Sequence, residues 1–168
     1  PVFKNKYTRW GDLWDDNYDF SKVLFHWSQD NLVPFIYASS ASVYGLGESG
    51  FIEKKSCESP INAYAFSKLM FDRYVFSQNR QLKSQVVGLR YFNVYGPREP
   101  KIGDYATVIR KFLRQYEEKK PLTIVGDGEQ RRDFTHVSDI VNGLIAASSH
   151  NNPGKVLHLG RGKNYSIN

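Results

Sequence analysis

The chain of 168 residues holds one cysteine, Cys57, and one methionine, Met70. A lone cysteine excludes an internal disulfide framework and a multi-cysteine metal site. A reducing, cytoplasmic setting is therefore expected, with no metal. No apolar run approaches the ~18 residues that cross a bilayer, and no stretch reads as a secretory signal. A long basic stripe is also missing. The net charge is +6, but the cations are scattered in pairs such as Lys54-Lys55, Lys119-Lys120 and Arg131-Arg132. That pattern argues against tracking a nucleic-acid backbone and suits a small anion such as a diphosphate. Repeats and low-complexity segments are absent. Because the sequence opens on Pro1 and its methionine stands at position 70, a piece of a longer protein is expected.

What is present supports a packed domain: 40% of residues are hydrophobic and 15% aromatic, enough for one real core. Phe20, Val23, Leu24 and Trp27 recur at i, i+3, i+4, i+7, which predicts an amphipathic helix over 17–29. The apolar run 33–38 reads as a buried strand with Pro34 at its start. Ser59-Pro60 marks a helix start; Phe66, Leu69, Met70 and Tyr74 carry that helix to about residue 82. Residues 85–92 form the next strand, and 93–100 a loop rich in Gly and Pro. Further elements are a helix over 105–116, a strand over 122–125, a short strand over 133–137, a helix capped by Ser138 and a strand over 156–159. Strands alternating with helices predict an α/β fold with a largely parallel sheet.

Tyr64 and Lys68 stand four apart on a predicted helix and so share a face. A free phenol titrates near ~10; a neighbouring ammonium favours the phenolate. Such a pair moves a proton to or from a hydroxyl. Ser40 ends a predicted parallel strand, and ligands of open α/β sheets bind outside the carboxyl ends of strands. Its hydroxyl can reach the same substrate oxygen.

Four segments carry a resemblance. YASSASVYG at 37–45 resembles the serine-rich strand end of extended short-chain dehydrogenase/reductases, and YAFSK at 64–68 resembles their Tyr-x-x-x-Lys helix. RYFNVYGPR at 90–98 and GDGEQRRDF at 126–134 resemble the post-strand and sugar-nucleotide segments of the nucleotide-sugar epimerases in that family. They run in the family's order and span about residues 17–168. The resemblance implies a partial Rossmann-like fold. Residues 1–98 would be the end of the cofactor domain, and 99–168 a mixed substrate region with returning strands. It implies NAD or NADP as cofactor, a nucleotide-diphosphate sugar as partner and a homodimer joined through the helices at 17–29 and 60–82. Residue by residue, Ser40 would be the catalytic serine, which also binds substrate. Tyr64 would be the base and acid, and Lys68 the lysine on the nicotinamide ribose. Tyr91 and Val94 would lie at the nicotinamide, and Asn93 and Arg132 on the substrate's sugar and phosphates. Asn17 would be structural. An arginine suits that last task because its planar fork binds phosphate bidentately.

Two branches of the family compete. Residues 15–44 and 92–99 resemble ADP-glycero-manno-heptose 6-epimerases, whose second catalytic lysine would fall at Ile102, one place after Lys101. Residues 105–109 and 126–129 look more like UDP-sugar 4-epimerases, which the sequence slightly favours. The family also opens with a glycine-rich turn that holds the cofactor pyrophosphate on a helix N-terminus. Gly45, Gly47 and Gly50 fit that spacing superficially, but they follow the serine motif in a loop. A catalytically incomplete piece that cannot hold NAD is therefore the other expectation.

Overall fold

The structure is a computed structural model that describes residues 10–99, 106–150 and 153–168. The chain forms two compact units, Pro1–Tyr91 with Leu144–Leu159, and Phe92–Gly143 with Gly160–Asn168. It passes between them at three points, 91/92, 143/144 and 159/160.

The first unit holds a parallel sheet of β1 (Phe35–Ser40), β2 (Val86–Tyr91) and β5 (Lys155–Leu159), in the order β1-β2-β5. On β2, Val86 and Val87 are adjacent and both fully buried. Successive strand residues face opposite layers, so both faces of the sheet are covered, which explains the unbroken apolar run. Val86 packs with Phe25, Tyr37, Phe71 and Val75. Val87 packs with Leu89 and Ala147 on the other side. Each such side chain contributes roughly 1.5–3 kcal/mol on burial. In register with Tyr37 stands Gly88; a β-carbon there would lie 2.5 Å from the Tyr37 ring, so only glycine lets that ring lie across β2.

Helices flank this sheet. A short helix α1 (Trp10–Trp14) leads through one wide turn, Asp15–Asp19, into α2 (Phe20–Asp30). The α2 stripe read from the sequence faces outward: Phe20, Val23, Leu24 and Trp27 are exposed, while Phe25, Ser28 and Gln29 are buried. Polar Gln29 can face inward because its amide is satisfied. It donates to Ser84 Oγ and accepts from the Lys83 and Ser84 backbones. Helix α3 (Ala63–Ser77) starts later than the Ser59-Pro60 signal suggests, because Asn62 is the cap and accepts from the Ala65 N–H.

The second unit contains β3 (Asn93–Tyr95), α4 (Val108–Glu117), β4 (Arg132–His136) and β6 (Asn164–Tyr165). Helix α5 (Val137–Ser149) begins in this unit and ends in the first. β3 pairs parallel with β4, and β4 antiparallel with β6. Two sequence expectations fail here. Residues 93–95 form a strand inside the expected loop, because β4 offers them a parallel partner. Residues 122–125 form no strand; Leu122, Ile124 and Val125 are exposed, and apolar content without a paired partner makes no ladder. Asp133 braces the unit by accepting from the Arg161 and Gly162 N–H groups.

Candidate active site

Ser40 is the last residue of β1, where the strand gives way to a tight turn, Ala41–Tyr44. Its Oγ accepts from the Ser42 N–H at 3.2 Å and from Ser42 Oγ at 2.9 Å. The hydroxyl is thus fixed at the carboxyl end of the sheet. The turn closes at Gly45, whose φ is +59°, and a side chain there would strike the Ser59 carbonyl. This close approach carries the chain onward to α3 and explains the glycine at 45, while Gly47 has a φ of +77° and a side chain there would strike the Phe51 ring, so neither needs a phosphate-binding role.

Tyr64 lies on the first turn of α3, with its phenol close enough to the Ser40 hydroxyl to feel it. Partial burial pushes its phenol above the usual value and the nearby Ser40 hydroxyl partly opposes that, while the residue as a whole stays 39% exposed. Lys68 follows one helical turn later. Its Nζ donates to the Ala38 carbonyl at 3.0 Å and stands 5.8 Å from the Tyr64 ring centroid. Burial lowers the Lys68 ammonium, and the Asp72 carboxylate raises it. From its spacing the Lys68 ammonium is expected to lower the phenol, but burial, which raises it, is the largest influence. The structure brings Ser40, Tyr64 and Lys68 together, and Tyr91, beside Ser40 in the strand register, joins them.

Asn93, Val94 and Arg132 belong to the second unit. Asn93 and Val94 lie on β3, and Arg132 opens β4. A cavity of about 510 Å³ is lined by Asn93, Lys111, Arg114, Gln115, Thr123 and Arg132, among others. Three cations and no carboxylate stand in its lining among the described residues, which suits a polyanion. Gln115 and Thr123 are locked to each other by two hydrogen bonds, at 2.7 and 3.1 Å. Lys111 and Arg114 were not singled out from sequence; their signal was their place on the face of α4 that carries Phe112. Lys101 and Ile102 lie outside the described residues.

Beneath the first site runs a buried ionic cluster that the sequence reading also missed. Arg90 contacts Asp72, Glu58 and Tyr44 at once. Asp72 additionally accepts from Ser39 and Tyr37. Among the described residues no group of three His, Cys, Asp or Glu is placed to hold a metal, and no helix is long and apolar enough to cross a membrane.

Comparison with known proteins follows the same line. The chain is 45% identical over 159 residues to an ADP-L-glycero-D-manno-heptose-6-epimerase of Alkalilimnicola ehrlichii, covering 91% of this chain and 49% of that protein. The structure of the ADP-L-glycero-D-manno-heptose-6-epimerase of Helicobacter pylori superposes with a TM-score of 0.85 at 32% identity, covering 98% of this chain and 52% of that one. A UDP-N-acetylglucosamine 4-epimerase from Methanobrevibacter ruminantium, solved with UDP-N-acetylmuramic acid, gives 0.84 at 32% identity, covering 91% and 49%. The chain thus spans about half the length of the relatives it matches. Residues 3–160 match the profile of the NAD dependent epimerase/dehydratase family, and the chain belongs to that family.

Proposed function

We propose that this chain is the catalytic and sugar-nucleotide-binding portion of an ADP-glycero-manno-heptose 6-epimerase that works with NAD or NADP. The Ser40, Tyr64 and Lys68 array at the carboxyl end of β1 carries the reading of the chemistry. The choice of sugar rests on the 45% identity to a heptose epimerase; this reverses the slight preference for a UDP-sugar drawn from sequence. The UDP-sugar 4-epimerase reading stays as the second, supported by the TM-score of 0.84 to an enzyme of that kind.

The residues present fit a nicotinamide. A phenol, an ammonium and a hydroxyl converge beside Tyr91 where the strands end, and Tyr64, Lys68 and Tyr91 would hold its ribose and ring. When bound, that cofactor accepts and returns a hydride. The chain's own residues do the rest. Tyr64 as phenolate takes the proton of the sugar hydroxyl at the inverting carbon and returns it from its hydroxyl. Ser40 donates to the same oxygen as it becomes a carbonyl, a fixed donor aimed where charge develops. Lys68, held on the Ala38 carbonyl, keeps a positive charge near the phenol. Arg132, with Lys111 and Asn93, would bind the diphosphate and leave the sugar free to turn.

The outward stripe of α2 supports a homodimer through that helix. The decisive assay incubates the protein carrying this chain with ADP-glycero-manno-heptose and with UDP-hexoses and follows the epimers by NMR. Turnover of UDP-hexose alone rules out the heptose reading. Titration with NAD tests the remaining expectation, a piece unable to hold cofactor: saturable binding removes it.

A further inference from the structure

We propose that Asp72 is the positioning residue of the Tyr64–Lys68 pair, gripped from two strands so that α3 is held in one register against the strand that carries Ser40. The proposal rests on the catalytic reading of those two residues. Tyr64, Lys68 and Asp72 occur at i, i+4 and i+8 and so form one stripe down α3. At its lower end the Asp72 carboxylate is 3% exposed and receives four contacts. Ser39 Oγ donates at 2.8 Å and Tyr37 Oη at 3.0 Å from β1, while Arg90 Nε and Nη2 approach at 3.0 and 2.9 Å from β2. Tyr37 and Ser39 alternate along β1, so both face the helix. Ser39 immediately precedes Ser40, and Ala38 anchors Lys68. One carboxylate therefore ties the catalytic helix to the backbone stretch that sets both of its catalytic partners.

Arg90 extends the grip. Its Nη2 pairs with Glu58 at 2.7 Å and its Nη1 donates to Tyr44 Oη at 2.6 Å. Glu58 lies on the segment entering α3, and Tyr44 on the turn leaving Ser40. The planar fork thus joins the entry, the middle and the strand side of the site, a task a lysine cannot perform. The cluster also places charge. Asp72 is the charge that raises Lys68 against burial. Around the same layer stand the phenols of Tyr64, Tyr37, Tyr44 and Tyr91 and the paired ions Arg90 and Glu58. The wide turn and α1 carry Asp12, Asp15, Asp16 and Asp19 and meet α3 through Phe66 and Tyr74.

The test labels lysine at Cε and follows the Lys68 resonance through an alkaline titration, in the protein carrying this chain and in its Asp72→Asn variant. With the fold intact by circular dichroism, the Lys68 midpoint moves to lower pH in the variant, and kcat falls roughly tenfold or more at unchanged KM. An unchanged midpoint overturns the proposal whether or not the protein epimerises sugars. A moved midpoint in a protein that turns over no nucleotide sugar upholds the positioning role and sinks the catalytic reading instead. Should Asp72→Asn not fold, Ser39→Ala removes one grip and no charge. A severalfold loss of kcat at constant KM then supports the role, and wild-type kcat overturns it.

Discussion

Lys68 Nζ donates to the Ala38 carbonyl oxygen at 3.0 Å. The bond ties the lysine to β1 two residues before Ser40, so serine and ammonium share one stiff support. Lys68→Met keeps most of the side chain's length and deletes both the bond and the charge. Its kcat should drop about 100-fold, with a melting temperature close to that of the parent. Steady-state kinetics and a thermal melt check this; an unaltered kcat removes Lys68 from the mechanism.

Tyr64→Phe removes the hydroxyl that lies near Ser40 and keeps the ring. Epimerisation should vanish while bound NAD is retained, as read by turnover and by cofactor fluorescence. Full turnover in the variant excludes Tyr64 as the base.

Burial raises the Tyr64 phenol, so the folded chain holds that proton more tightly than the unfolded chain does. The associated stability is present below the unfolded value near ~10 and is lost as pH rises through the folded value. Thermal melts above pH ~10 should therefore fall more steeply for the parent than for Tyr64→Phe. Activity should run the other way if the phenolate is the base, as proposed: kcat/KM should climb from neutral to alkaline pH. Parallel melting curves and a flat rate profile would contradict both statements.

Arg132→Ala should weaken nucleotide-sugar binding with little effect on the chemical step. Loss of a hydrogen bond to a charged group amounts to about 1.5–3 kcal/mol, which is roughly 10- to 150-fold in KM. Lys111→Ala should act in the same direction and less strongly, since an ammonium lacks the fork. Calorimetry with ADP and with UDP reads both effects and ranks the two nucleobases.

Val23 and Trp27 are 63% and 58% exposed on α2. A charge there, as in Val23→Glu or Trp27→Lys, should shift sedimentation toward a smaller species while the helical signal in circular dichroism is preserved. An unchanged sedimentation profile would place any self-association elsewhere.

Local chemistry explains which parts of this were legible in advance. The β2 run reads as buried because both faces of that strand are covered, and the Tyr64–Lys68 spacing survives because α3 is a regular helix through that stretch. Residues 122–125 carry the same kind of apolar letters yet make no ladder, since pairing is non-local and one sequence window cannot show it. Asp72 and Arg90 escaped notice for a related reason. Each is a single charge in its own segment, and they acquire meaning through contacts 18 residues apart. The α2 periodicity was genuine, but period alone does not say whether a stripe meets its own core or something else.

Among the described residues, the strand that carries Ser40 has a neighbour on one side only, β2. Among the described residues its other flank offers a row of backbone donors and acceptors, a template for strand addition. The exactness of the Ser40 position is thus shared with whatever lies along that flank. A parallel strand seated there would damp the sideways play of β1 and, through Ser39 and Ala38, of Asp72 and Lys68 as well. The groups at the carboxyl end of β1 would then respond to events along a strand edge away from them.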